Sequence, residues 1–266
     1  MGTLYLVGTP IGNLEDISPR ALRVLREVPL IASENPRRTQ RLLARYDLHT
    51  PMMRYTDAYE RRKKERMRAI LAALEAGDVA LVSEAGMPGL ADPGYELVAA
   101  ALEQGVPVVP VPGPAALTAA LSVAGIPCER FTFVGFFPRE GGARRALLAS
   151  LAGSPFAVVA YEAPHRLVGT LGDVARLFGD RPMAATCELT KLFEQVQRGT
   201  AAELLSHFQA ERPRGEFTLV IAGSDPRPSP LPEETGRGRA RNPLRGNPPS
   251  PQPSSWKGEE DPGGSP

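Results

Sequence analysis

The chain has 266 residues, a net charge of +1, 42% hydrophobic and 23% charged residues, a balance that fits one or two folded domains and excludes a disordered or fibrous chain. The near-neutral total does not announce nucleic-acid binding, although it leaves room for a local basic face. Cys128 and Cys187, like His49, His165 and His207, lack metal-ligand spacing, so neither a metal site nor a disulfide framework is expected.

Strand-like sequence begins at Leu4–Val7, which leaves no room for a signal peptide. No apolar run reaches the roughly 20 residues a membrane span needs, so a cytoplasmic protein is expected. Ser18-Pro19 opens a helix with a capping side chain and a proline at the first position, and Leu22, Leu25 and Val28 form its apolar stripe. A short strand at Leu30–Ala32 and a helix over Pro36–Tyr46 come next. A long helix is expected over 58–76 behind the cap Asp57, then a strand at Val79–Ser83 and a helix over Pro93–Gln104 capped by Asp92. Strand Val106–Val111, helix Ala115–Val123 and strand Phe131–Phe136 close the first half. This alternation argues for a parallel sheet with helices on both faces.

The second half reads differently. Leu147 and Leu148 sit in a helix, Phe156–Tyr161 and Met183–Leu189 are strands, His165–Phe178 is a helix, Gln195–Gly199 is a partner strand, Ala201–Gln209 is a helix and Glu216–Ala222 is a final strand with clear alternation. Strands with no helix between them indicate a mixed sheet. The expected division is an α/β domain over residues 1–136, a second over 137–223, and a disordered tail over 224–266, where 11 of the 28 prolines gather from residue 225 on.

Three turns rich in glycine and proline follow apolar strands: Thr9-Pro10-Ile11-Gly12-Asn13, Glu84-Ala85-Gly86-Met87-Pro88 and Pro112-Gly113-Pro114. Open α/β sheets bind ligands at the carboxyl ends of their strands. Three such turns at one edge predict a crevice lined by main-chain groups. The first turn lacks both the dinucleotide fingerprint and the Lys-Ser/Thr pair of a triphosphate loop. Behind the third, Ala115, Ala116, Ala119 and Ala120 leave little side chain at a helix start.

Leu4 to Ile17, the segment from Ser83 to Gly94, Pro112-Gly113-Pro114, Phe133-Val134-Gly135-Phe136-Phe137-Pro138, Tyr161-Glu162-Ala163-Pro164-His165-Arg166, Glu188-Leu189-Thr190-Lys191 and Arg214-Gly215-Glu216 together resemble the ribosomal RNA small-subunit methyltransferase I family. The likeness covers roughly residues 3–223 in unbroken order. It implies the two-domain tetrapyrrole-methylase-like fold, with S-adenosylmethionine in the cleft, a homodimer, and methyl transfer to a cytidine ribose 2′-hydroxyl in the decoding region of 16S rRNA in the small ribosomal subunit. Expected cofactor contacts are Pro10, Gly12, Ser83, Glu84, Ala85, Gly86, Met87, Pro88, Pro112, Gly113, Ala115, Ala116, Tyr161 and Glu162. Glu188 and Lys191 are the candidates beside the target oxygen, where a base or a charge-stabilising group would help a weak nucleophile.

Phosphate neutralisation needs cations, and Arg37, Arg38, Arg61, Arg62, Lys63, Lys64, Arg139 and Arg166 are the expected RNA contacts. The chain departs from the family pattern in Glu34-Asn35-Pro36-Arg37, where relatives carry Glu-Asp-Thr-Arg, and in Glu84 and Met87, where they carry Asp and Thr. Two alternatives stay open: a related methyltransferase acting on a tetrapyrrole or a protein side chain, and a ribosome-binding module that has lost catalysis.

Overall fold

The computed structural model describes residues 1–56 and 60–225, the Glu60 side chain excepted. The expected cap Asp57, the first two residues of the 58–76 helix and the expected tail from 226 on lie outside the described residues.

The first sheet contains β1 (Leu4–Val7), β2 (Leu30–Ser33), β3 (Met52–Arg54), β4 (Val79–Val82) and β5 (Val108–Val111), all parallel, in the order β3-β2-β4-β1-β5. Its helices are α1 (Pro19–Glu27), α2 (Pro36–Arg45), α3 (Glu60–Ala76) and α4 (Tyr95–Glu103). Ala80 and Val82 of β4 face a core shared with α1 and α2, while Val79 and Leu81 face one shared with α3 and α4. That two-sided burial is why β4 is apolar at every position. The Ser18 side chain accepts a hydrogen bond from the Ala21 N–H at 3.1 Å, and Asn35 does the same for Arg38 at 3.4 Å, each with proline next in sequence.

The second sheet has the order β6-β7-β10-β8-β9, built from β6 (Phe131–Phe136), β7 (Ala157–Glu162), β8 (Pro182–Cys187), β9 (Gln195–Thr200) and β10 (Phe217–Ile221). Only β6 and β7 are parallel; the other pairs are antiparallel. Helices α6 (Gly141–Leu151), α7 (Pro164–Phe178) and α8 (Ala201–Ala210) cover one face. The other face packs against α5 (Ala116–Ala124). The central strand β10 is buried along its whole length, with Phe217, Leu219 and Ile221 toward α6–α8 and Val220 toward α5.

Three expectations change. Phe131–Phe136 pairs with β7 in the second sheet and does not close the first, so a boundary at residue 136 would divide that sheet; the chain changes sheets between β5 and α5. Helix α4 begins at Tyr95 behind Gly94 at φ 144°, a backbone geometry open to glycine, so Asp92 is not its cap. Strand β3, three residues at the sheet edge, has no counterpart in the periodicity.

The carboxyl end of β1 is stitched to its neighbours by backbone. Thr9 and Gly86 exchange two N–H···O bonds of 2.9 Å, and Gly8 N–H donates to Val111 O at 3.0 Å. A Cβ on Gly113 would stand 2.7 Å from the Gly8 carbonyl oxygen, contact between two backbones that neither can yield cheaply. Gly113→Ala is expected to cost about 2 kcal/mol through overpacking, lowering the melting temperature by roughly 4–8 °C in a thermal unfolding scan. An unchanged midpoint would show that the turns are free to separate.

Candidate functional site

A cavity of about 260 Å³ opens where the strand ends of the first sheet meet the second sheet. Ile11 and residues 84–87 form one wall, Ala115 and Ala116 the start of α5, and Phe136, Tyr161, Thr186 and Thr218 the wall from the second sheet. Gly86 sits at φ 80°, which lets the second turn fold back to its bridge with Thr9. Met87 fills the space beside Gly8, where a Cβ would stand 2.6 Å from its sulfur. The residue before α5, Ala115, has no side chain able to cap it, and the Tyr161 hydroxyl accepts the Leu117 N–H of its first turn.

Charge dominates the lining. Glu34, Glu84, Asp92, Glu188 and Glu216 face two cations, Arg38 and Lys191. Arg38 Nε lies 2.9 Å from Glu84 Oε1 and Lys191 Nζ 3.0 Å from Glu188 Oε1. Glu34 accepts the Glu84 backbone N–H at 2.9 Å. Burial raises the Glu34 pKa, the Glu84 N–H bond opposes the shift, and the Glu84 charge adds to it. Burial, followed by the charge of Glu34, lifts Asp92 to about 6. Ser83 Oγ sits within reach of the Ala85 and Gly86 carbonyls, at 3.2 and 3.3 Å, and also bonds Asp92, so one hydroxyl proton has three claimants.

The turn carrying Glu188 and Lys191 is tightly determined. Glu188 and Thr190 hold φ values of 52° and 65°, in the left-handed region that non-glycine residues avoid. Thr190 N–H donates to Glu194 at 2.6 Å, and Thr190 Oγ1 accepts the Asn13 N–H at 3.0 Å. Gly12 belongs to this junction: a Cβ there would meet Lys191 Cγ at 2.5 Å. Gly215 does the same for Glu188, whose Oε1 lies 2.3 Å from the Cβ position it lacks.

Across residues 3–205 the chain matches the model of the Tetrapyrrole (Corrin/Porphyrin) Methylases. It is 47% identical to the ribosomal RNA small subunit methyltransferase I of Thermotoga maritima, over 85% of this chain and all of that one. The enzyme of the same name from Synechocystis is 46% identical over 86% of this chain and 82% of its own. The chain belongs to the ribosomal RNA small subunit methyltransferase I family. Among solved structures the fold is similar to cobalt precorrin-4 methyltransferase, with TM-score 0.63, 16% identity and coverage of 83% and 94%. It is also similar to Thermus thermophilus uroporphyrin-III C-methyltransferase complexed with S-adenosyl homocysteine, with TM-score 0.59, 23% identity and coverage of 84% and 98%.

Of the residues expected at the methyltransferase site, Arg38, Glu84, Ala85, Gly86, Met87, Ala115, Ala116, Tyr161, Glu188 and Lys191 line the cavity. Pro10, Gly12, Ser83, Pro88, Pro112 and Gly113 stand behind the lining, where they shape the turns. Glu162 and Arg166 are corrections. Glu162 is fully buried, accepts from Thr170 and the Ala163 N–H, and pairs with Arg166 at 3.1 Å. Arg166 also donates to the Phe137 and Pro138 carbonyls, and neither residue lines the cavity. Arg37, Arg61, Arg62, Lys64 and Arg139 are exposed, and Lys63 is half-buried. Arg61 pairs with Glu65 at 3.1 Å and Lys63 with Glu96 at 2.5 Å. Asp92, Thr186, Thr218 and Glu216 had no assigned role in the site; Asp92 read as a helix cap and the threonines as strand residues.

A carboxyl whose folded-state pKa lies above its unfolded value of 3.8 favours the folded state at low pH and opposes it as pH rises through about 6. Asp92→Asn removes that opposition. Its melting temperature should match the parent near pH 4 and exceed it by a few degrees at pH 7.5. A difference that stays flat across that range in scanning calorimetry would refute the assignment.

Proposed function

We propose that this chain transfers the methyl group of S-adenosylmethionine to the 2′-hydroxyl of a cytidine ribose in the decoding region of 16S rRNA, within the small ribosomal subunit. The observation that carries the reading is the acidic, backbone-walled cavity in a chain 47% identical over 226 residues to a small-subunit rRNA methyltransferase. The lining suits the cofactor on chemical grounds. Asp92, Glu34 and Glu216 offer negative charge to a sulfonium and an ammonium, while Ala115, Ala116 and the Ala85-Gly86 backbone leave room for a flat base. An acidic wall also disfavours the tetrapyrrole alternative, because such macrocycles carry carboxylates of their own.

When bound, S-adenosylmethionine supplies an electrophilic methyl carbon. The chain's own task is to place the ribose oxygen in line and to manage its proton. Lys191 Nζ, held by Glu188 at 3.0 Å, stabilises charge building on that oxygen, and the Glu188 carboxylate receives the hydroxyl proton. The strained turn keeps this pair in place without substrate.

Several of the basic residues expected at RNA follow strand ends. Arg37 and Arg38 start α2 just after the carboxyl end of β2, Arg61 to Lys64 start α3 after β3, and Arg139 follows β6. Exposed ion pairs such as Arg61–Glu65 contribute little and exchange readily for phosphate. The reading includes a homodimer, as the family resemblance implies, working in the cytoplasm.

Purified protein incubated with labelled S-adenosylmethionine and small subunits lacking the mark should label a single ribose. Lys191→Ala should lower kcat by about 100-fold with S-adenosylhomocysteine affinity little changed. Absence of labelling by the parent protein would overturn the proposal, and a full-rate Lys191→Ala would overturn the role given to Lys191.

A further inference from the structure

Two of the four most exposed large apolar side chains among the described residues are neighbours: Leu192 is 89% exposed and Phe193 75%. They follow Lys191, a lining residue, directly in sequence, on the turn that carries the proposed chemistry. This turn is not loose. Lys191 N–H donates to Glu188 O at 3.0 Å, Glu194 N–H donates to Lys191 O at 3.1 Å, and Glu194 reaches back to Thr190. A turn fixed at both ends, with two left-handed residues, holds an aromatic and an aliphatic side chain out into water. The rim carries further apolar surface in Phe136, 51% exposed, and Leu90, 37% exposed, both lining the cavity.

We infer that Phe193, with Leu192 beside it, is a stacking platform for an unpaired base of the RNA substrate next to the methylated ribose. The inference rests on the rRNA reading above and names a residue that selects its substrate. A 2′-hydroxyl can enter a cavity only if its nucleotide leaves the helical stack, and the exposed π-face of a base then needs a new partner. Aromatic side chains beside cations are the usual answer in single-strand recognition, and Lys191 supplies the adjoining charge. A second copy of this chain fits the patch less well. Two side chains on a turn tip expose far less than the roughly 800 Å² per partner of a stable interface.

The test compares Phe193→Ala, Phe193→Trp and Leu192→Ala with the parent in the small-subunit methylation assay. Phe193→Ala should raise KM for the subunit by about tenfold, the loss of one base stack, with S-adenosylhomocysteine affinity unchanged. Phe193→Trp should restore it, and Leu192→Ala should give a smaller rise. Because stacking releases no counterions, the salt dependence of RNA binding should keep the parent's slope in Phe193→Ala and become shallower in Arg61→Ala. An unchanged KM in Phe193→Ala, with an active parent, would overturn the inference and leave the rRNA reading intact; an inactive parent would overturn the reading itself. A change of oligomeric state on light scattering in Phe193→Ala would also overturn it, by assigning the patch to a second copy.

Discussion

The site depends on how closely three backbone turns approach one another at the end of β1. Gly8 and Gly113 are in direct main-chain contact, and Thr9 and Gly86 form a two-bond bridge between the first and second turns. Side chains cannot make such a floor, because a single Cβ at either glycine would push the turns apart. Once the turns are locked, residues 84–87 and the start of α5 fall on opposite sides of the cavity. The glycine and proline content of this region is therefore a requirement of the floor, and the cavity inherits its shape from backbone geometry.

The acidic lining imposes a cost that local structure only partly offsets. Glu84 is held by Arg38 at 2.9 Å and by the Asn35 side-chain amide at 3.1 Å, while its N–H serves Glu34. This explains why Asn35 and Glu84 occur together. The longer Glu84 reaches Asn35, and a carboxylate at position 35 would face the Glu84 carboxylate at the distance now spanned by a hydrogen bond. The amide at 35 also caps α2 through Arg38 N–H, so one side chain serves both the helix start and the cavity rim. Among the described residues Asp92 and Glu34 form no such ion pair, and burial raises the pKa of both. Carboxyls kept uncomfortable in the free protein are the groups with most to gain from a cationic ligand.

Much of this was legible in the sequence because period and punctuation agree there. The βα alternation, the Ser18-Pro19 start and the three turns each rest on local chemistry that the fold respects. What was hidden depends on tertiary placement. Asp92-Pro93-Gly94 has the composition of a helix cap, yet Gly94 starts α4 and leaves the Asp92 carboxyl in the cavity. Glu162 and Arg166 look like site residues because they belong to the Tyr161–Arg166 segment of the family resemblance, but Glu162 ends β7 fully buried and pairs with Arg166 on the first turn of α7. Phe131–Phe136 ends the first run of strands in sequence and still joins the second sheet, since a strand's partner is set by long-range pairing. Thr186 and Thr218 carry no signal at all, being ordinary β residues whose register happens to aim them at the cavity.

The two sheets divide the work. Parallel strands end in turns whose backbone groups point into a crevice, which suits the recognition of a shared cofactor and changes little with substrate. The mixed sheet supplies side chains, and its β8–β9 turn carries Glu188, Lys191, Leu192 and Phe193 within six residues. That turn touches the first half through Gly12 and Asn13, so its position is set by the same β1 loop that builds the floor. Residues 188–191 are tied to the first half of the chain, whereas Leu192 and Phe193 extend beyond those contacts. The exposed Leu192-Phe193 pair is thus the part of the turn least constrained by packing against the rest of the fold.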